Sequence, residues 1–69
     1  MDRVAVTSSN IASVGYDRNA QLLEVAFHDG SVYQYYEVPE GAFAALIGAE
    51  SVGKYFSGHI KGRYRYTRV

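Results

Sequence analysis

LLEVAFHDGSVYQYYEVP, residues 22–39, is the stretch on which the fold turns. Leu23, Val25 and Phe27 alternate with Leu22, Glu24, Ala26 and His28, the period of a half-buried strand. Asp29-Gly30 reads as a tight turn, and residues 31–38 return as the second strand of a hairpin. Turn length sets the register, and a slip of one residue moves every side chain to the other face. A two-residue turn places Phe27 opposite Val32 and leaves Tyr33 and Tyr35 on the outer face with Glu24 and Ala26. A three-residue turn with Gly30 left-handed places Phe27 opposite Ser31 and brings both tyrosines inward, beside Leu23 and Val25. The second register gathers Glu24, His28 and Gln34 outside, the cleaner separation of polar from apolar, and is the one expected.

Upstream, ASVGYD (12–17) alternates Ala12, Val14 and Tyr16 on one face, and Asp17 and Asn19 supply turn chemistry after it. Residues 3–7 can add a short extra strand. Downstream, Pro39 holds Val38 extended and suits a first helical turn, with Glu40 at the positive end of the helix dipole. Phe43, Leu46 and Ile47 then fall at i, i+3 and i+4, so a helix is expected over 40–49. Ser51 caps a second helix with Val52, Tyr55, Phe56, His59 and Ile60 on its stripe. Gly53 and Gly58 weaken that helix by about 1 kcal/mol each relative to Ala, so tertiary packing must hold it or the glycines admit close backbone approach. His59 is read as a partly buried packing residue and His28 as solvated. Gly62 is a C-cap, and RYRYTRV (63–69) alternates as a closing strand with Tyr64 and Tyr66 inward and Arg63 and Arg65 outward. The expected fold is α+β: a small antiparallel sheet of three or four strands with two short helices on one face, in the order β-β-β-α-α-β.

The chain has 69 residues, which makes one domain near the lower limit for a single packed core. It has no cysteine and two histidines, so disulfides and thiolate zinc sites are excluded and no metal or other cofactor is expected. Ordinary packing must supply the core, and a composition 48% hydrophobic and 14% aromatic suffices for it. No apolar run nears the roughly 18 residues of a membrane span. The first ten residues lack the apolar region of a signal peptide. A cytoplasmic protein with no membrane contact is expected.

GAESVGKY (48–55) comes one residue short of a phosphate-binding P-loop. Tyr55 stands where Ser or Thr must ligate magnesium, and the residues before it read as helix where the motif needs a strand. Ser8, Ser9, His28, His59 and Asp17 form no recognisable triad, and nothing like Gly-x-Ser-x-Gly orients a nucleophile. No catalytic residue is assigned and no enzyme activity is expected.

The signal that remains is charge. Seven acids against Arg3 and Arg18 leave the first fifty residues at −5, while Lys54, Lys61, Arg63, Arg65 and Arg68 leave the rest at +5. Such an end can be a solvated face beside acidic neighbours, or a patch for an anionic partner. Tyrosines between its cations add a further possibility, because nucleic-acid modules pair aromatic platforms for bases with cations for phosphates.

Taken in order, SSNI (8–11), VGYD (14–17), FHDGSVYQYYEVP (27–39), SVGKYF (51–56) and HIKGRY (59–64) resemble the KTSC domain over nearly the whole chain, so residues 1–69 are read as one KTSC-like domain. That domain is named for its place at the C-terminus of some lysyl-tRNA synthetases and also occurs alone in bacteria. The resemblance carries no catalytic residue and implies RNA as a partner. The expected function is a non-catalytic binding module for RNA or another polyanion, with Lys54, Lys61, Arg63, Arg65 and Arg68 on phosphates. The alternatives are a protein-interaction or homo-oligomerisation module anchored by exposed tyrosines, and a binder of a small anionic ligand such as a nucleotide.

Overall fold

The computed structural model describes residues 1–69. Five strands, β1 (Arg3–Ala5), β2 (Ile11–Asp17), β3 (Leu22–Phe27), β4 (Val32–Tyr35) and β5 (Tyr66–Arg68), form one antiparallel sheet in the spatial order β1-β2-β3-β4-β5. Two helices, α1 (Glu40–Ile47) and α2 (Val52–Tyr55), lie between β4 and β5 in sequence. The α+β class and the two helices stand as expected. The expected three or four strands become five, in the order β-β-β-β-α-α-β. The extra strand is β1, which pairs Arg3, Val4 and Ala5 with Gly15, Val14 and Ser13.

The central hairpin takes the three-residue turn. Phe27 N donates to Ser31 O at 2.9 Å, Gly30 N donates to Phe27 O at 3.0 Å, and Gly30 sits at φ 93°. Asp29 braces the turn by accepting from the Ser31 amide at 2.9 Å and its hydroxyl at 2.6 Å. Tyr33 consequently faces Val25 and Tyr35 faces Leu23, both on the inner face.

Strand β2 departs from simple alternation. The pairing steps from Ile11 opposite Phe27 to Ser13 opposite Ala26, so Ala12 is the extra residue of a bulge and Ile11 takes the core position expected for it. Ile11, Val14, Leu23, Val25 and Tyr35 of the sheet meet Val38, Leu46, Val52, Phe56 and Ile60 to form the core. Helix α1 is fastened at its start, where the Tyr16 hydroxyl donates to Val38 O at 2.6 Å and the Tyr16 ring stacks on Phe43 with centroids 5.0 Å apart. Burial, reinforced by the nearby Glu40 carboxylate, raises the Tyr16 pKa above its ordinary value.

No helix covers the outer face. Register aligns Arg3, Gly15, Glu24, Gln34 and Thr67 in one row across all five strands. Gly15 is required there: a Cβ would come within 2.9 Å of Asp2 O and 3.2 Å of Met1 Cγ, and its absence lets Arg3 reach across to Glu24. Glu24 accepts from Arg3 Nε at 2.6 Å and from Gln34 Nε2 at 2.9 Å. The Gln34 bond, then Arg3, hold its pKa below the usual carboxylate range against the opposing effect of burial.

The second helix begins as expected, with the Ser51 hydroxyl accepting from Lys54 N at 3.2 Å. It then widens into a π-helical turn over Phe56–Ile60, with Lys61 N donating to Phe56 O. Gly53 meets the Ser8 hydroxyl at 3.2 Å from its would-be Cβ, while Gly58 faces open space, so only the first of the two glycines serves close approach.

Candidate functional site

Five aromatic side chains close into a ring of contacts on the inner face beside β5. Phe27 meets Tyr33, Tyr33 meets Tyr66, Tyr66 meets Tyr35, Tyr35 meets Phe56, and Phe56 returns to Phe27, with centroid separations of 5.5–5.7 Å. Edge-to-face and tilted geometries predominate, as the aromatic quadrupole favours. The ring exists because β5 pairs with β4 so that Tyr66 lies opposite Tyr35 and Arg68 opposite Tyr33. Exposure rises steeply across the cluster: Tyr35 is 4% exposed and Tyr66 59%.

These side chains line a groove of about 340 Å³, completed by Asn10, Ile11, Asp29, Ser31, Gly53, Ser57 and Lys61. At the hairpin end Arg68 Cζ stands 5.9 Å from the Tyr33 ring centroid. Asp29 is held ionised by its Ser31 bonds first, and Arg68 acts in the same direction. At Tyr35, burial and then the neighbouring Tyr66 and Tyr33 phenols raise the pKa. The three phenol rings are therefore close neighbours in the cluster.

Two shallower concavities flank the groove and share lining residues with it. Through Asn10, Gly53 and Ser57 it joins a polar shelf with Ser8, Ser9, Ser51, Lys54 and Gly58. Tyr66 alone is shared with a separate shallow concavity lined by Tyr36, Gly62, Arg63, Tyr64, Arg65 and Thr67, the last of which belongs to the outer-face row. Lys61 thus lines the groove, Lys54 the polar shelf, and Arg63 and Arg65 the concavity beside Tyr66, while Arg68 overlies a ring of the groove.

They do not form the expected cationic face of a strand. Gly62 at φ 83° turns the chain, and β5 begins only at Tyr66, so Lys61, Arg63 and Arg65 lie in the preceding loop and Arg68 alone belongs to β5. Tyr64 and Tyr66 both turn inward as expected, Tyr66 by standing opposite Tyr35, but their burial differs. Tyr64 packs half-buried against the core, but Tyr66 stands mostly exposed at the open sheet edge. Arg65 forms an exposed ion pair with Glu37 at 3.2 Å and lies 5.8 Å from the Tyr36 ring centroid, surface contacts that each contribute little to stability.

Of the two histidines, His28 is exposed as expected and His59 is not the packing residue expected. His59 is exposed and stacks on Tyr55 with centroids 4.4 Å apart, because the wide π turn carries it out of the buried stripe. His28 is exposed, and its Nε2 lies 3.0 Å from Ser8 O. The near-P-loop is no phosphate cradle: α1 precedes it where a strand is required, and Lys54 projects from α2. No group of three or more His, Cys, Asp or Glu side chains is placed to hold a metal ion.

The KTSC domain family model matches residues 7–64. The chain belongs to the KTSC domain family. A protein of Stutzerimonas stutzeri strain A1501 is 44% identical to it over 70 residues, covering 100% of this chain and 99% of that protein. The crystal structure of a KTSC domain protein from Yersinia pestis superposes with a TM-score of 0.93 at 40% identity, covering 99% of this chain and 96% of the other. A lysine–tRNA ligase of Nostoc punctiforme is 34% identical over 61 residues, which is 88% of this chain but 11% of the ligase. The KTSC domain therefore occurs both as nearly a whole protein and as a small part of a larger one. No helix of this KTSC domain is long and apolar enough to cross a membrane.

The residues that sequence reasoning missed are the walls of the groove. Phe27 and Phe56 read as core, and Tyr66 read as pointing inward. The signal was present in Tyr33-Gln34-Tyr35 and Tyr66-Thr67-Arg68, two alternating triplets that form one surface only if their strands pair.

Proposed function

We propose that this KTSC domain is a non-catalytic module that binds single-stranded RNA along the aromatic groove and the concavities that flank it. One observation carries the reading: the aromatic ring ends in exposed Tyr66, with Lys61 in its groove, Arg68 over one of its rings, and Lys54, Arg63 and Arg65 in the concavities that flank it. Rings stack bases at about 1–3 kcal/mol each, and cations alongside neutralise the backbone. An extended path with cations at several points suits a strand better than a compact anion. Relatives that are lysine–tRNA ligases, in which this domain is a small part, support a role beside RNA.

If about three to five cations meet phosphates, the affinity for labelled single-stranded RNA should fall with salt at a log–log slope of about −2 to −3.5. Replacing Arg63 and Arg65 together by Ala should flatten that slope by about 1.4. No binding at low salt, or a slope indifferent to the double substitution, rejects the proposal. A second reading draws on β5, a three-residue open edge carrying exposed Tyr66, which suits strand addition by a protein partner. Flow-through on heparin together with absent RNA binding favours that reading.

A further inference from the structure

The floor of the groove holds a polar group without a protein partner. Tyr16 anchors its hydroxyl on Val38 O, but the Tyr35 hydroxyl bonds to no protein atom although the residue is 4% exposed. No buried side-chain polar atom is left unpartnered, so that hydroxyl must open onto the groove that Tyr35 lines. A tyrosine serving only the core could be phenylalanine there. Its raised pKa keeps it a neutral hydroxyl, able to donate.

We propose that the groove takes one nucleobase, uracil or guanine, unstacked from an RNA strand, with the Tyr35 hydroxyl donating to the carbonyl at C4 of uracil or C6 of guanine, where cytosine and adenine carry an amine. This rests on the RNA reading above and names what the site selects. The volume of about 340 Å³ is near the lower end of the roughly 300–1,000 Å³ typical of ligand pockets, and suits a single base. Lys61 lines the same groove and its ammonium only donates. A carbonyl oxygen accepts from both the hydroxyl and the ammonium, whereas an exocyclic amine opposes the ammonium with donors of its own. Asp29 is the acidic acceptor in the groove, but its Oδ1 already takes both Ser31 bonds and Arg68 offsets its charge.

Short labelled oligouridylate and oligocytidylate have the same backbone and ring size, and differ at C4 in carbonyl against amine. Fluorescence anisotropy at one salt concentration should show oligouridylate about tenfold tighter, the equivalent of one well-made hydrogen bond. Tyr35→Phe keeps the ring, should fold as the parent does by circular dichroism, and should erase the preference without altering the salt slope. Lys61→Met retains the aliphatic stem and should reduce the preference as well. Equal affinity for the two oligomers, or a preference that survives Tyr35→Phe, overturns this proposal while RNA binding stands. Absence of binding to either oligomer at low salt removes both.

Discussion

The aromatic ring joins two tyrosines whose environments are opposites, and truncating each should separate stability from binding. Tyr35→Ala removes a ring that is 4% exposed and wedged between Phe56, Tyr66 and the Leu23 side of the sheet. Large buried aromatics cost about 3–5 kcal/mol on such truncation. A domain of this length has about 3–10 kcal/mol of total stability, so the loss is a large share of it. Tyr66→Ala removes a ring that is 59% exposed and in tilted contact with two neighbours, and should cost about 1 kcal/mol. With a urea dependence of about 1 kcal/mol per molar, the midpoint should fall by about 3–5 M for Tyr35→Ala and about 1 M for Tyr66→Ala. Circular dichroism during urea titration reads both. RNA affinity, measured where each variant is folded, should drop about tenfold or more for Tyr66→Ala from lost stacking. Equal midpoint shifts for the two variants, or a Tyr35→Ala shift below about 1 M, would refute the placement of Tyr35 in the core.

The Glu24 carboxylate has its pKa lowered in the fold, so its contribution is present above the unfolded value of about 4.3 and is lost as pH falls through the lower folded value. Stability should therefore decline more steeply below about pH 4.5 in the parent than in Glu24→Gln, by thermal melts across that range. Gly30→Ala should destabilise by about 1–2 kcal/mol, since φ 93° is strained for an L side chain although the space beside it is open. An unchanged urea midpoint for that variant would contradict the left-handed turn and the register it fixes.

Local signals carried most of the fold. The Asp29-Gly30 turn, the sorting of Gln34 and Glu24 from Tyr33 and Tyr35, and the Ser51 cap are short-range features with few physical alternatives. The bulge at Ala12 was not legible because nothing in ASVGYD distinguishes an alternating strand from one that steps at its first residue. What chose between them is Ile11, whose burial against the core outweighs that of Ala12. The site was less legible than the fold, for a topological reason. Residues 33–35 and 66–68 are separated by two helices, and only their pairing turns Tyr66 from a core residue into the exposed wall of a groove. The basic residues are plain in the sequence, but Gly62 delays the strand, so the faces they occupy are not.

The π-helical turn at Phe56–Ile60 gives the second helix slack in length. Its five-residue hydrogen-bonded span takes in one residue more than an α-helical turn, and Ser57, Gly58 and His59 between its buried ends are all exposed. One of these three could be deleted and the segment rewound as α-helix, with Phe56 and Ile60 still available to the core. Such a deletion draws in the wall of the groove to which Ser57 belongs and changes the approach of Lys61. Chains of this fold that differ by one residue here can thus share a core and differ in the shape of this groove.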